Sequence, residues 1–275
     1  SETALMFASS KGFREIVSLL LKHGADIHAR DISEKTALLR AAQNGHLLTV
    51  ELLLLKGANM HFNAFDLGGE GGTALIQAAR NGHNDVLQKL LNNGAEINTT
   101  ELMFHHSALM TAALNGHLKS VKLLLNAGAD PMLKDTSHRT ALLLAATNNH
   151  LSVIKQLVNN NQNGRQTDSK GNGIWHLMAM NDSQKHTEGD STKIVKKEKE
   201  NFNLMKELIS QVIPLDSLNK DGETALMIAV KRENLELVKI LLNLGASPEI
   251  ITPDGENALS LAETSGNIEV LNLLR

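Results

Sequence analysis

Thr73 to Asn98 reads T-A-L-I-Q-A-A-R-N-G-H-N-D-V-L-Q-K-L-L-N-N-G-A-E-I-N, and Ser107 to Asp130 reads S-A-L-M-T-A-A-L-N-G-H-L-K-S-V-K-L-L-L-N-A-G-A-D. Both share a hydroxyl residue, Ala-Leu, a small Ala-Ala pair, Asn-Gly-His and a second apolar run that ends at Gly-Ala. Working outward, T-A-L or a close relative begins at Thr3, Thr36, Thr73, Ser107, Thr140, Thr224 and Asn257, at spacings of 33, 37, 34, 33, 84 and 33. A degenerate copy at Gly173 (G-I-W-H-L-M-A) splits the 84 into 33 and 51. About eight copies therefore span residues 1–275, which read as a single repeat domain.

Each copy predicts a helix pair. Thr, Ser or Asn at its start is a good N-cap, because the side-chain oxygen accepts an orphan backbone N–H. Ala follows as a strong helix former. Small pairs such as Ala41-Ala42 and Ala78-Ala79 let neighbouring helices approach closely. Gly12, Gly45, Gly82, Gly116 and Gly266, with Asn149 in the fifth copy, supply a left-handed residue that ends the first helix. A second helix follows with apolar stripes such as Val50, Leu53 and Leu54. One such pair cannot bury its apolar face alone, and stacking provides the shared core.

The pattern resembles the ankyrin repeat family, whose signature includes T-P-L-H-x-A and a period of about 33 residues. The chain departs from it systematically. Pro-Leu-His after the Thr is here Ala-Leu followed by Leu, Met or Ile in most copies, and only His176 keeps the His. The resemblance implies an all-α solenoid with short β-hairpin fingers, an L-shaped section and a concave face lined by the first helix of each pair.

Composition narrows the function. Net charge is -3, from 27 basic and 30 acidic residues, which leaves no basic excess for nucleic acid. Aromatics are 3% of the chain, too few for base-stacking platforms. Cysteine is absent, which removes disulfides, thiolate metal sites and a cysteine nucleophile together. No apolar run is long enough to cross a membrane. The chain opens Ser-Glu-Thr, which reads as a fragment of something longer. Its 26 asparagines hint at an AT-rich bacterial or protozoan genome.

Three breaks interrupt the period. Phe62 to Gly72 (F-N-A-F-D-L-G-G-E-G-G) is four residues too long and lacks the lysine of a nucleotide loop. It reads as a lengthened finger. Glu101 to His106 (E-L-M-F-H-H) puts Leu102, Met103 and Phe104 on the next finger. Their ordinary fate is to fold under the hairpins, and the alternative is an anchoring patch for a partner. An 18-residue excess lies between Met180 and Asn201. It reads as a flexible loop near 181–190, followed by a helix extended backwards from Asn201 with a solvated Lys/Glu face. The sequons at Asn98 and Asn181 read as chance matches.

No chemistry emerges from the 12 histidines: there is no H-E-x-x-H, and His105 and His106 would point to opposite faces of a strand. His46, His83, His117 and His150 recur after the turn and read as structural. We assign no catalytic residue, metal or cofactor. Trp175 reads as core. Glu263, where other copies carry a small core residue, reads as a polar end to the stack.

The site reading rests on the first helices. Four residues after the cap stand Arg40, Gln77 and Thr111, polar where the flanking copies are apolar. Under the resemblance, Gln43, Asn44, Arg80, Asn81, Leu114 and Asn115 face the groove, with Phe65 and Phe104 on the fingers above. This predicts a protein or peptide partner with an acidic or amide-rich patch and an apolar edge, bound by a cytoplasmic monomer. Three settings are open: a binding scaffold, including a bacterial effector in a host cytosol; the substrate-recruiting part of a larger enzyme; and a cytoplasmic assembly domain of a membrane protein.

Overall fold

A computed structural model describes residues 2–65, 71–159, 164–181 and 213–275 of the chain. The expected loop near 181–190 and the backward-extended helix lie outside the described residues, except for Asn181; so does the middle of the long connection, 66–70. The described residues hold fifteen α-helices, most of seven or nine residues. They fall in two compact units, Ser1–Thr136 and Ser137–Arg275.

The first unit contains α1 Ala4–Ser10, α2 Arg14–Lys22, α3 Ala37–Gln43, α4 Leu47–Leu55, α5 Ala74–Arg80, α6 Asn84–Asn92, α7 Ala108–Leu114 and α8 Leu118–Asn126. The odd-numbered helices pack in succession, α1 on α3, α3 on α5 and α5 on α7, and the even-numbered ones form a second row behind them. The close approach follows from the small pairs: Ala41, Ala42, Ala78, Ala79, Ala112 and Ala113 are all fully buried. Leu38, Leu75 and Leu109 fill the space on one side, and Val50, Leu87 and Val121 of the outer row fill it on the other.

The second unit contains α9 Ala141–Thr147, α10 Leu151–Asn159, α11 Ile174–Met180, α12 Ala225–Lys231, α13 Leu235–Asn243, α14 Ala258–Ser265 and α15 Ile268–Leu274. Here α9, α11, α12 and α14 form the inner row. Glu263, in register with the buried Ala42, is exposed.

Capping follows the sequence closely. The side chains of Thr3, Thr36, Thr73, Ser107, Thr224 and Asn257 each accept a backbone N–H three residues on. Thr140 makes no such bond, and its hydroxyl reaches Gln166 Oε1 at 2.6 Å instead. Gly173 has no side chain to offer. There the His176 ring takes over, its Nδ1 accepting the Gly173 N–H at 3.2 Å while Nε2 donates to the Glu223 carbonyl at 3.1 Å. Burial pushes the pKa of this imidazole below its ordinary value, although its backbone partners act the other way.

The connections are tight turns. Hairpin pairing among the described residues amounts to two isolated antiparallel bridges, Ala64 with Gly72 and Thr100 with Ser107. What shapes four of the turns is a side-chain acceptor five or six residues before the cap. Asp31 accepts the N–H groups of Ser33 and Lys35, and Glu101 accepts those of Met103, Phe104 and His106. Asp168 and Asn219 do the same for the turns ahead of α11 and α12.

One core position is imperfect. Ser9 stands in register with Ala42, Ala79 and Ala113 and is fully buried, yet its hydroxyl has no hydrogen-bond partner. An unsatisfied buried hydroxyl costs about 1–3 kcal/mol. Ser9→Ala removes it, and urea unfolding should show a gain of about 1 kcal/mol. A loss of stability would mean that the hydroxyl is satisfied in solution.

Candidate partner-binding surface

The C-terminal ends of α1, α3 and α5 are fixed by a ladder of imidazoles. His46 Nε2 donates to the Ser10 carbonyl at 2.9 Å, His83 to Gln43 at 3.0 Å and His117 to Arg80 at 2.9 Å. Each ring lies on the turn glycine of the preceding pair. A Cβ at Gly45 would fall 2.5 Å from His83 Nδ1. The recurring histidines are thus structural in this unit, as the sequence implies, and they hold the backbone from which the candidate residues project.

Asn44, Asn81 and Asn115 end α3, α5 and α7. Each carboxamide donates from Nδ2 to the carbonyl four residues back, at 2.8, 3.1 and 2.8 Å. All three are exposed; Gln43, Arg80 and Leu114 beside them are half-buried.

The arginines are braced from within. Arg40, with 28% of its side chain exposed, donates from Nη2 to Asp31 Oδ2. Burial alone would raise the Asp31 pKa, but hydrogen bonds from Arg40, Lys35 and Ser33 outweigh it and hold the carboxyl below its ordinary range. Arg80 donates to Gln77 Oε1 and to the Gly71 carbonyl, both at 3.3 Å.

Two expected contact residues do not reach the surface. Gln77 is 0% exposed and donates to the Gly71 carbonyl at 2.9 Å. Thr111 is 2% exposed and its hydroxyl donates to the Ser107 carbonyl at 2.8 Å. Their polar groups are consumed inside the fold, Gln77 by the end of the long connection that closes over α5.

The fingers correct a second expectation. Leu102, Met103 and Phe104 do not fold under their turn but stand exposed, as does Phe65. Glu101 explains this: it is buried, and its carboxylate gathers three N–H groups and leaves the loop between them facing outward. The Phe104 ring stacks on His106 at 5.7 Å, and His106 Nε2 lies 3.4 Å from Asp135. Sequence reasoning also missed Ile32, the tip of the first finger, at 92% exposure. In the second unit the comparable turns carry Ser169-Lys170 and Lys220-Asp221, all exposed or half-buried polar residues.

Stacked helix pairs, turn glycines filled by the next imidazole and polar side chains at the inner helix ends define a helix-pair repeat protein. The family model for ankyrin repeats (three copies) matches residues 1–66, 38–135, 109–188 and 194–275, and the chain belongs to that family. No curated protein matches it. Ankyrin repeats are in general protein–protein interaction modules. Among the described residues no helix is long and apolar enough to cross a membrane.

Proposed function

We propose that the chain is a non-enzymatic recognition scaffold that binds a protein or peptide through the first unit. The observation that carries this is the pairing of two features in one unit: exposed Asn44, Asn81 and Asn115 at successive helix ends, and exposed Phe65 and Phe104 on the fingers. Hydrogen-bonding groups beside apolar anchors are what a binding hot spot requires. Gln43, Arg40, Arg80 and Leu114 complete the surface. A standard interface covers about 800 Å² on each side. The asparagine-rich composition favours a bacterial effector in a host cytosol as the setting.

Arg40 and Arg80 are poor test positions, because both brace the fold. The exposed phenylalanines are better. Proteins captured by the intact chain are identified by mass spectrometry and compared with those captured by a Phe65→Ser, Phe104→Ser variant. A control variant carries Leu218→Ser and Ile251→Ser, exposed positions of the second unit. The expected result is loss of the captured partner in the first variant only. If the control or changes within 181–200 abolish capture while the first variant binds normally, the surface lies elsewhere.

A further inference from the structure

Resting on that reading, we infer that the surface takes a partner segment in the polyproline-II conformation, net acidic, whose backbone is read at every third residue. The argument begins with the carboxamides. Asn44, Asn81 and Asn115 occupy one register position, eight residues after the caps Thr36, Thr73 and Ser107. Each is oriented by its own Nδ2 bond to the helix behind it, so its Oδ1 stands as an acceptor in the same setting each time.

The spacing of that row is set by helix packing. Helices α3, α5 and α7 are successive neighbours, and packed helices lie about 8–10 Å apart. A ligand that meets all three carboxamides with equivalent groups must repeat at that distance. An α-helical ligand has its backbone N–H groups already bonded within itself and offers none along its length. A β-strand turns every second N–H to one side, a repeat of about 6.7 Å, and its third residue faces the opposite way. Polyproline II has three residues per turn and a rise of about 3.1 Å, so equivalent groups recur every 9.3 Å or so. Its backbone is unbonded, and each third position leaves an N–H for one Oδ1 wherever that residue is not proline. Period and hydrogen-bonding capacity both select this conformation.

Charge gives the sign of the ligand. Helices α1, α3, α5 and α7, with the residue that ends each, contain Lys11, Arg40 and Arg80 and no acidic residue. Arg40 is paired with Asp31 and Arg80 is bonded to Gln77 and Gly71, whereas Lys11 is exposed and lies over the Phe7 ring. An acidic side chain on the segment meets Lys11. A threefold ligand also has a separate side-chain stripe, which suits the exposed apolar residues Ile32, Phe65 and Phe104, one on each successive finger.

Three synthetic peptides of equal length and equal Glu and Leu content, the first two rich in Pro, test the inference by fluorescence anisotropy against the full chain. The first places Leu, Glu and a non-proline backbone donor at period three. The second arranges the same residues at period two, and the third replaces Pro by Ala and places Leu and Glu at helical spacing. The first should bind saturably, and the other two about tenfold more weakly or less. Asn81→Ala with Asn115→Ala, folded by circular dichroism, should weaken the first peptide about tenfold, the loss expected for two hydrogen bonds. A separate Lys11→Glu variant, which leaves the carboxamides intact, should weaken it as well. Preference for the second or third peptide, indifference to the asparagine pair, or no binding at all would each overturn the inference. If partner capture still depends on Phe65 and Phe104 in that event, the scaffold reading stands and only the ligand's conformation is wrong.

Discussion

Trp175→Ala should destabilise the second unit by about 3–5 kcal/mol, as large-to-small changes in a packed core do. Trp175 is 1% exposed in α11 and is the largest fully buried side chain among the described residues. The loss comes from removed contacts and from the cavity left between inner helices whose other side chains, Leu143, Met178 and Met227, are buried as well. Its indole Nε1 has no hydrogen-bond partner. Phenylalanine at 175 should therefore cost much less than alanine, since it keeps most of the ring and removes the stranded donor. Urea unfolding followed by circular dichroism measures both variants. Trp175 is the sole tryptophan, so its fluorescence in the unaltered chain reports on this unit. A solvent-quenched indole, or an alanine cost below about 1 kcal/mol, would remove Trp175 from the core.

Gly45→Ala and Gly57→Ala should differ sharply although both residues end helices with positive φ, 75° and 86°. An L-residue in that region costs about 1–2 kcal/mol. Nothing lies within 4 Å of a Cβ at Gly57, so the backbone cost is the whole effect there. At Gly45 the new methyl would strike the His83 ring, and moving the ring breaks the bond from Nε2 to the Gln43 carbonyl. The total should reach about 2–4 kcal/mol. Equal urea midpoints for the two variants would show that the imidazole yields without loss.

These contrasts show what a sequence of this kind discloses. Caps, turn glycines and small pairs are legible because the same residue types recur at one period, and each has a local physical role that needs no knowledge of the neighbours. The histidine ladder is legible for the same reason. The turn acceptors escaped notice because their type varies among Asp, Glu and Asn, and Glu101 stands six residues before its cap where Asp31, Asp168 and Asn219 stand five. Their signal is a short-chain acceptor followed two to five residues on by several backbone donors. Gln77 and Thr111 misled in the opposite direction. A polar residue on an inner helix reads as groove surface unless the sequence shows what will satisfy it. The acceptor for the Gln77 amide is the carbonyl of Gly71, at the end of an irregular connection. The outward turn of Leu102, Met103 and Phe104 likewise depends on one buried carboxylate, and composition alone favours the opposite outcome.

The Asn-Gly pairs that end α3, α5 and α7, at 44–45, 81–82 and 115–116, also bear on how a preparation of this protein ages. Deamidation at Asn-Gly proceeds when the glycine nitrogen attacks the asparagine side-chain carbonyl carbon and ammonia leaves. In the folded chain that nitrogen is engaged: the N–H groups of Gly45, Gly82 and Gly116 donate to the carbonyls of Ala42, Ala79 and Ala113 at 3.3, 3.3 and 3.2 Å. The carboxamide is held away by its own bond to the carbonyl four residues back. Folding is thus a chemical shield, and its failure has a direction. Each hydrolysed amide replaces a donor at a helix C-terminus with a negative charge, where the helix dipole disfavours it. Time spent unfolded would be recorded as acidic isoforms, their new charges placed at the exposed ends of α3, α5 and α7.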